Sequence, residues 1–526
     1  MNWLDKAISW ISPEAGLRRL RARRAGDLIR LAYEGARTDR RTGGWITTGN
    51  SANAEISVAL AKLRERSRDL IRNNAYAARA VAEIVGNAIG TGITAQARSG
   101  TPEVDRLINA VWAEWIEECD ADGQLDFYGL QALVARTVFE SGECLVRFRQ
   151  RRESDGLAVP LQLQVLEPDY LDHTKTQRTE TGYIIQGIEF DLVGRRIFYW
   201  LYGQHPGDVV QTGVRGGASL QSIRVPASEV LHIYRKDRPG QVRGVPWLAP
   251  VVVTLRDLDE YEEAELVRKK IEACFAAFVT QPQGPDGPPI APAAPDPVTG
   301  KRVESFEPGM IEYLKPGEEI TFASPSASAG YRDYVAAKQA QIATGLQLTY
   351  EQLTGDLSRV NYSSYRAGLL SFRNGIEGFR WLTFIPMLCT PVWERFLTVA
   401  YAAGAIPEPG PFRAEWTPPG FGSVDPYKDS VATLNRLRTG TLTLRQAIAE
   451  QGYDPDAQLE QIAEINRLLD ERGIVLDCDP RRVTQSGAQQ KLPVAELQRE
   501  LREIVRLLDD QEPQHDPNER TAGSAV

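Results

Sequence analysis

Methionine, histidine and cysteine are the scarce residues of this chain, at three, four and five among 526. The cysteines, at 119, 144, 274, 389 and 478, are odd in number and include no C-x-x-C pair. That pattern suggests neither a disulfide framework nor a zinc site, and it fits a reducing cytoplasm. Long apolar runs are missing too. The most apolar stretch, "WLTFIPMLCTPVW" at 381–393, is too short to span a bilayer and carries Pro386 and Pro391, so no membrane contact is expected. The first residues, "MNWLDKAISWISPEAGLRRLRARRA", place Asp5 in the apolar part and the basic cluster after it, the reverse of a secretory signal. Positive charge is not in surplus either. A net charge of −9 argues against a protein that grips nucleic acid over its whole surface, because that requires clustered Lys and Arg to release counterions. Any contact with DNA must be local.

Catalytic signatures are also missing. "GWITTGNS" at 44–51 has the glycine spacing of a phosphate loop, but Asn50 stands where the lysine belongs and no apolar strand precedes it. "GTGITA" at 90–95 imitates a dinucleotide fingerprint yet follows a helical pattern, and so reads as a helix stop. The acids from Asp257 to Glu265 read as a solvated or inter-subunit face, since hard-cation sites draw oxygens from several elements. No Ser, His and Asp set can be nominated, and His232, in a strand pattern, reads as a satisfied histidine. Neither an enzyme nor a cofactor nor a metal is expected.

What is present is an ordinary globular composition, 42% hydrophobic and 25% charged, in a chain long enough for two to four domains. Residues 1–50 read as a basic arm, partly flexible. Helical spacing runs from Ser51 to Gly86 through Leu60, Leu70, Val81 and Ile84, and Pro102 opens a helix through Trp112 and Trp115 to Cys119. Between 143 and 235 the period changes to two. "LQLQVL" alternates, "YIIQGIEFD" and "RRIFYWLY" flank the turn "LVG", and "EVLHIYR" reads as a further strand. From Val251 to Gln281 there is neither Pro nor Gly, which predicts a helix of about 30 residues and about 45 Å. Its middle, "RDLDEYEEAELVRKK", is too charged to be covered easily inside one domain. Packing beside copies of itself would pair Glu262 and Glu265 with Arg268, Lys269 and Lys270, within the helix or across subunits. "QPQGPDGPPIAPAAPDP" must be an exposed loop, and a helix returns from Tyr331 to about Thr344.

A further helix runs from about Tyr362 to Gly404, with Arg366, Arg373 and Arg380 recurring every seven residues and prolines 386 and 391 expected to kink it. Three short helices follow, in "DPYKDSVATLNRLRTG", "LTLRQAIAEQG" and "DPDAQLEQIAEINRLLDERG". One more amphipathic stretch, "LPVAELQRELREIVRLLDD", precedes a polar tail.

Five stretches, in order and spread over roughly residues 30 to 475, resemble the lambda-type family of tailed-bacteriophage portal proteins. They are "RSRDLIRNNAYAARAVAEIVGNAIGTGI", "LQLQVLEPDYLD", "RPGQVRGVPWLAPVVVTLRDLDEYEEAELVRKKIEACFAAFV", "EPGMIEYLKPGEEI" and "YEQLTGDLSRVNYSSYRAGLL". The resemblance implies an α+β subunit that assembles into a ring of about twelve copies at one capsid vertex. Double-stranded DNA would be packaged and ejected through that ring. The terminase large subunit would dock on it, head-tail adaptor proteins would join it later, and the major capsid protein would surround it. The subunit would be assembled in the host cytoplasm and located in the virion.

On this resemblance, 51–250 would be a wing, 251–280 and 326–346 two stem helices, and 281–325 a clip with the proline-rich loop. Residues 347–362 would hold a tunnel loop, 363–404 a long kinked helix, 405–475 a helical crown, and 476–526 a C-terminal helix with a tail. The tunnel loop would place Gly355, Asp356, Leu357, Ser358, Arg359, Val360 and Asn361 at the channel, although "NYSS" at 361–364 is equally an N-cap for the helix that follows. Stem contacts between subunits would use Asp257, Glu262, Glu265, Arg268, Lys269 and Lys270, and motor docking would use Glu304, Glu307, Tyr313, Lys315 and Glu318. The other readings are a capsid or tail scaffold protein without a channel, and a DNA-processing enzyme, for which neither a nucleotide loop nor a carboxylate metal cluster is in evidence.

Overall fold

A computed structural model describes residues 44–208, 221–273, 277–279, 311–313, 330–358, 360–407 and 410–476, with a few isolated positions beyond them. The first expected helix is two, α1 (Ala52–Asn73) and α2 (Ala75–Ala88). Asn74 makes the break. Its backbone N–H donates to Leu70 O and its side chain accepts from Ala77 N at 2.9 Å, closing one helix and capping the next. The spacing of apolar residues continues across the break, which is why periodicity alone merges the pair.

After β1 (Thr94–Arg98) come α3 (Pro102–Glu118) and α4 (Phe127–Ser141), the latter ended by Gly142 at φ 90°. The two-residue period between 143 and 235 resolves into two antiparallel sheets. One orders β3 (Leu161–Leu166), β2 (Glu143–Gln150) and β9 (Val230–Tyr234) side by side. The other is a meander of β4 (Gln177–Thr179), β5 (Gly182–Ile185), β6 (Ile188–Asp191), β7 (Arg196–Leu201) and β8 (Ile223–Pro226). "YIIQGIEFD" is therefore a hairpin in itself rather than one strand. Gln186 and Gly187 both have positive φ, 48° and 85°, the backbone a two-residue turn needs.

The charged helix α5 (Val252–Ala273) spans 22 residues, shorter than its sequence predicts, because 277–279 is already a strand, β10 (Ala277–Val279), paired in parallel with β11 (Ile311–Tyr313). The proline-rich loop lies outside the described residues. The chain returns as α6 (Tyr331–Gly345), and the short α7 (Tyr350–Thr354) leads to α8 (Tyr362–Phe379). From Arg380 to Cys389 the helix widens into a π-helix, then resumes as α9 (Thr390–Ala402). Pro386 lies inside the widened stretch. With no N–H and a ring that crowds the carbonyl four residues back, it disfavours the tighter winding, so the expected kink becomes a change of pitch.

The strand β12 (Arg413–Thr417) then pairs with β1 in antiparallel register, Thr94 opposite Thr417 and Arg98 opposite Arg413. The helices α10 (Pro426–Arg438), α11 (Leu444–Glu450) and α12 (Pro455–Glu471) follow as their sequences predict, each with a side-chain N-cap.

Two cores hold these elements. In the larger, Trp112 of α3 meets Trp393 and Phe396 of α9 with ring centroids 4.9 Å away in each case, and Phe127 at 5.4 Å. The end of the long helix is thereby welded to the α3–α4 pair. The smaller core lies under the meander, around Leu145, Ile188, Phe190 and Tyr199. Cys119, Cys144 and Cys389 are buried and unpaired, and burial pushes their thiols up.

Candidate functional site

The loop after α7 is held from both ends. Thr349 and Gln352 form a reciprocal capping box at the start of α7, and Gly355, at φ 75°, closes it in the left-handed region. Arg79 of α2 donates to Gln352 O at 2.7 Å, pinning the loop's base to the larger core. Asp356 turns the chain by accepting from Ser358 N at 2.9 Å, Leu357 is left 59% exposed at the tip, and Asn361 caps α8 by accepting from Ser364 N at 2.8 Å. The capping role expected of "NYSS" is thus real, and Asn361 fills it. Val360 is half-buried, and Arg359 lies outside the described residues.

Behind the loop, a polar network ties four helices together. Gln339 of α6 donates to the Tyr76 hydroxyl at 2.8 Å and accepts from the Tyr350 hydroxyl at 3.3 Å, while Glu262 of α5 faces Tyr76. Burial and the nearby Asp259 raise Glu262's carboxyl above the usual range, and burial with Glu262 raises the Tyr76 phenol. Asp259 in turn accepts from Asn74 at 2.6 Å. The two long helices meet through rings, Tyr261 lying 5.9 Å from Tyr331 and 4.6 Å from Tyr334.

Of the six residues expected to make stem contacts, Glu262, Glu265 and Arg268 make the following contacts within the subunit. Glu265 accepts from Arg268 Nε at 2.8 Å along α5, and Glu262 looks inward to Tyr76. Asp257, Lys269 and Lys270 are exposed. What the charge pattern concealed is that α5 also exposes large apolar side chains: Val253, Leu266 and Val267 are 66%, 54% and 49% exposed, whereas Leu255 and Leu258 on the same helix are buried. Among the residues expected to dock a motor, Tyr313 falls in β11, and Glu304, Glu307, Lys315 and Glu318 lie outside the described residues.

A buried ionic hub, which sequence reading missed, fixes α1, β2, β9 and the loop "RPGQVRGVPW" to one another. Glu143 accepts from Arg243 Nε at 2.9 Å, from Gly244 N at 2.8 Å and from His232 Nε2 at 2.9 Å, with Arg64 3.7 Å away. All four charged or titratable side chains are at most 2% exposed. Burial alone would raise Glu143's carboxyl, but Arg243 and His232 overcome it and hold it well below the usual range. Burial also holds His232 down, to about 4, so the ring is neutral and donates from Nε2. Nδ1 has no partner, which suits a lone pair and not a second N–H. Gly244 is obligatory, since a Cβ there would lie 2.1 Å from Gly142 O.

Glu167, Asp169 and His205 also converge, their ligand atoms within 4.8 Å of one another. Arg68, however, places one nitrogen 2.9 Å from Glu167 and 2.7 Å from Asp169, and Arg64 lies 3.4 Å from Asp169. Guanidinium already occupies the position a cation would take, and the group is an ion-pair cluster.

The seven-residue arginine stripe is a clamp. Arg366 bonds Asp429, at 2.5 Å, while Arg373 donates to Gly422 O at 2.7 Å and lies 5.0 Å over Phe421. Arg380, buried, donates to Ala88 O and Asn87 O at 2.7 Å and to Pro419 O at 3.1 Å, so it caps the end of α2 while holding the segment after β12. All three therefore face the chain's own 419–429 region.

A long helix pair carrying a small strand module at its far end, a pinned loop and a clamped helical region together define a structural subunit. The chain belongs to the lambda family of phage portal proteins, whose description, "Phage portal protein, lambda family", matches residues 38–380. It is 29% identical over 476 residues to a probable portal protein of Halomonas phage phiHAP-1, covering 86% of this chain and 89% of that one. It is 23% identical over 470 residues to the portal protein of Escherichia phage N15, covering 78% and 85%. Among solved structures it is similar to a chain titled "Neck of empty GTA particle computed with C6 symmetry", with a TM-score of 0.40 and 15% identity, covering 79% of this chain and 97% of that one. The protein is a structural portal protein of a phage, and not an enzyme.

Proposed function

We propose that about twelve copies close into a ring at one capsid vertex, that double-stranded DNA enters and leaves through its hole, and that α5 with α6 forms the stem lining the passage. The observation that carries this reading is the exposed apolar set Val253, Leu266 and Val267 on a helix whose Val252, Leu255 and Leu258 are already covered by the subunit. A helix apolar on more than one side needs a second cover, and in a ring each subunit supplies it to the next through a heterologous contact that closes. Residues 281–325 at the tip would meet the terminase large subunit, 51–250 would face outward as the wing toward the major capsid protein, and 405–475 would form the crown. Head-tail adaptor proteins would join after packaging, and assembly would take place in the host cytoplasm.

The loop at 355–361 would border the passage. One Arg359 per subunit, offset by Asp356, gives the phosphate backbone a point of contact without a trap, while the net charge of −9 keeps the channel from holding its cargo. Negative-stain images of the purified protein, with sedimentation, test the assembly. Wild type should give closed rings of several hundred kilodaltons, and Leu266→Glu with Val267→Glu should give monomers. Intact rings from that double variant would refute the assignment of α5 to the interface.

A further inference from the structure

The last described helix, α12, is apolar over a wider arc than its neighbours cover. Ile462, Ile465 and Leu468 remain 43%, 55% and 38% exposed, and Pro455 is the single buried residue of the helix. Such a flank on a surface helix calls for a partner. We propose that the partner is the chain's own segment 494–508, folding back over α12 as a second amphipathic helix.

Three observations select this occupant. The chain reverses immediately after α12: Gly473 takes φ 66°, Ile474 N donates back to Leu469 O at 2.9 Å, and Arg481 returns to within 3.3 Å of Asp470 in the helix's last turn. By residue 481 the chain is again beside the helix it has just left. The sequence that follows then places Val494, Leu497, Leu501, Ile504 and Leu508 at alternating spacings of three and four, the seam of a two-helix pair. Its length matches, since the 17 residues of α12 make about 25 Å and residues 494–508 make about 22 Å as helix. The connection from 482 to 493 can reach roughly 40 Å when extended, longer than α12, so the segment can lie along it in either direction.

The midpoint of each apolar row is the same for both directions. Ile465 stands at the centre of the α12 flank and Leu501 at the centre of the segment, which fixes the test. Ile465→Cys with Leu501→Cys is made in the full-length protein, with Cys478→Ser to remove the nearest competing thiol. Mild oxidation should convert more than half of the chains to a form cross-linked within one polypeptide, seen as faster migration without a dimer band, and neither single cysteine variant should do so. A cross-link only between chains, or an Ile465→Cys homodimer in the single variant, would show a second copy covering α12 and overturn the proposal. Failure of any cross-link overturns it as well. As an independent readout, a stop after residue 481 should raise amide hydrogen exchange at 459–470 at least tenfold while leaving α3 and α9 unchanged. Unaltered exchange there overturns the proposal even if the cysteine variant folds poorly.

Discussion

Arg243 and Glu143 meet as a fully buried pair, Nε 2.9 Å from the carboxylate and both side chains at 0% exposure. Removing either partner strands the other in a medium that cannot solvate it. Glu143→Gln or Arg243→Ala should therefore destabilise the fold by about 3–5 kcal/mol, read as a fall in thermal midpoint and soluble yield. Glu143→Leu combined with Arg243→Met should recover part of that loss, because both charges of the pair leave together while Arg64 keeps Asp169, although His232 Nε2 and Gly244 N still lose their acceptor. A double variant worse than both singles would contradict the account.

The same hub sets an acid limit. His232 is held at about 4 in the folded state, below an unfolded value near 6.5. The unfolded chain therefore binds the proton first, and the stability tied to the neutral ring is lost as pH falls from about 6.5 toward 4. Glu143, also depressed, adds a loss of the same sign below its unfolded value near 4.3. The unfolding free energy should be nearly flat from pH 8 to 7 and then fall, with a slope approaching about 1.4 kcal/mol per pH unit for the histidine alone, and the thermal midpoint should fall with it. A His232→Gln variant should show a weaker dependence between pH 6.5 and 5. An equal slope in the variant would assign the effect elsewhere.

Arg380 joins three chain segments through charge-assisted hydrogen bonds, each worth roughly 1.5–3 kcal/mol. Arg380→Met keeps much of the stem but leaves the carbonyls of Asn87, Ala88 and Pro419 without their donor. A loss of about 2–4 kcal/mol, together with faster proteolysis between 413 and 425, is the expected outcome. Cleavage at the wild-type rate would mean the segment is held by other contacts.

For the loop, Arg359→Ala and Arg359→Glu should lower the fraction of DNA-filled heads in a packaging assay, the glutamate more strongly. Arg79→Ala, which frees the loop's base without altering its tip, should reduce filling less and should raise hydrogen exchange at 353–358. Filling and retention at wild-type levels in both Arg359 variants would remove the loop from the path of the DNA.

The helices of this fold were legible in sequence wherever a proline in the first turn and apolar spacing agreed, as at Pro102, Pro426 and Pro455. Asn74 and the Gln186–Gly187 turn were missed because each interrupts an apolar pattern that continues on the far side. The β1–β12 ribbon was invisible because its partners are about 320 residues apart and "ITAQAR" has no strand run long enough to announce itself. Of the candidate site, the loop and its cap at Asn361 could be read locally. The hub could not, since Arg64, Glu143, His232 and Arg243 are ordinary residues of four separate segments until the chain folds.

That ribbon has a consequence for how the molecule is made. Residues 94–98 emerge from the ribosome long before 413–417, so throughout most of synthesis β1 presents an open edge with no strand to complete it. Closure must wait for the chain as far as residue 417, and Arg98 makes a further distant contact, to Asp456 of α12 at 2.6 Å. A chain truncated before 413–417 would keep that edge without its partner strand, a template for pairing with another chain.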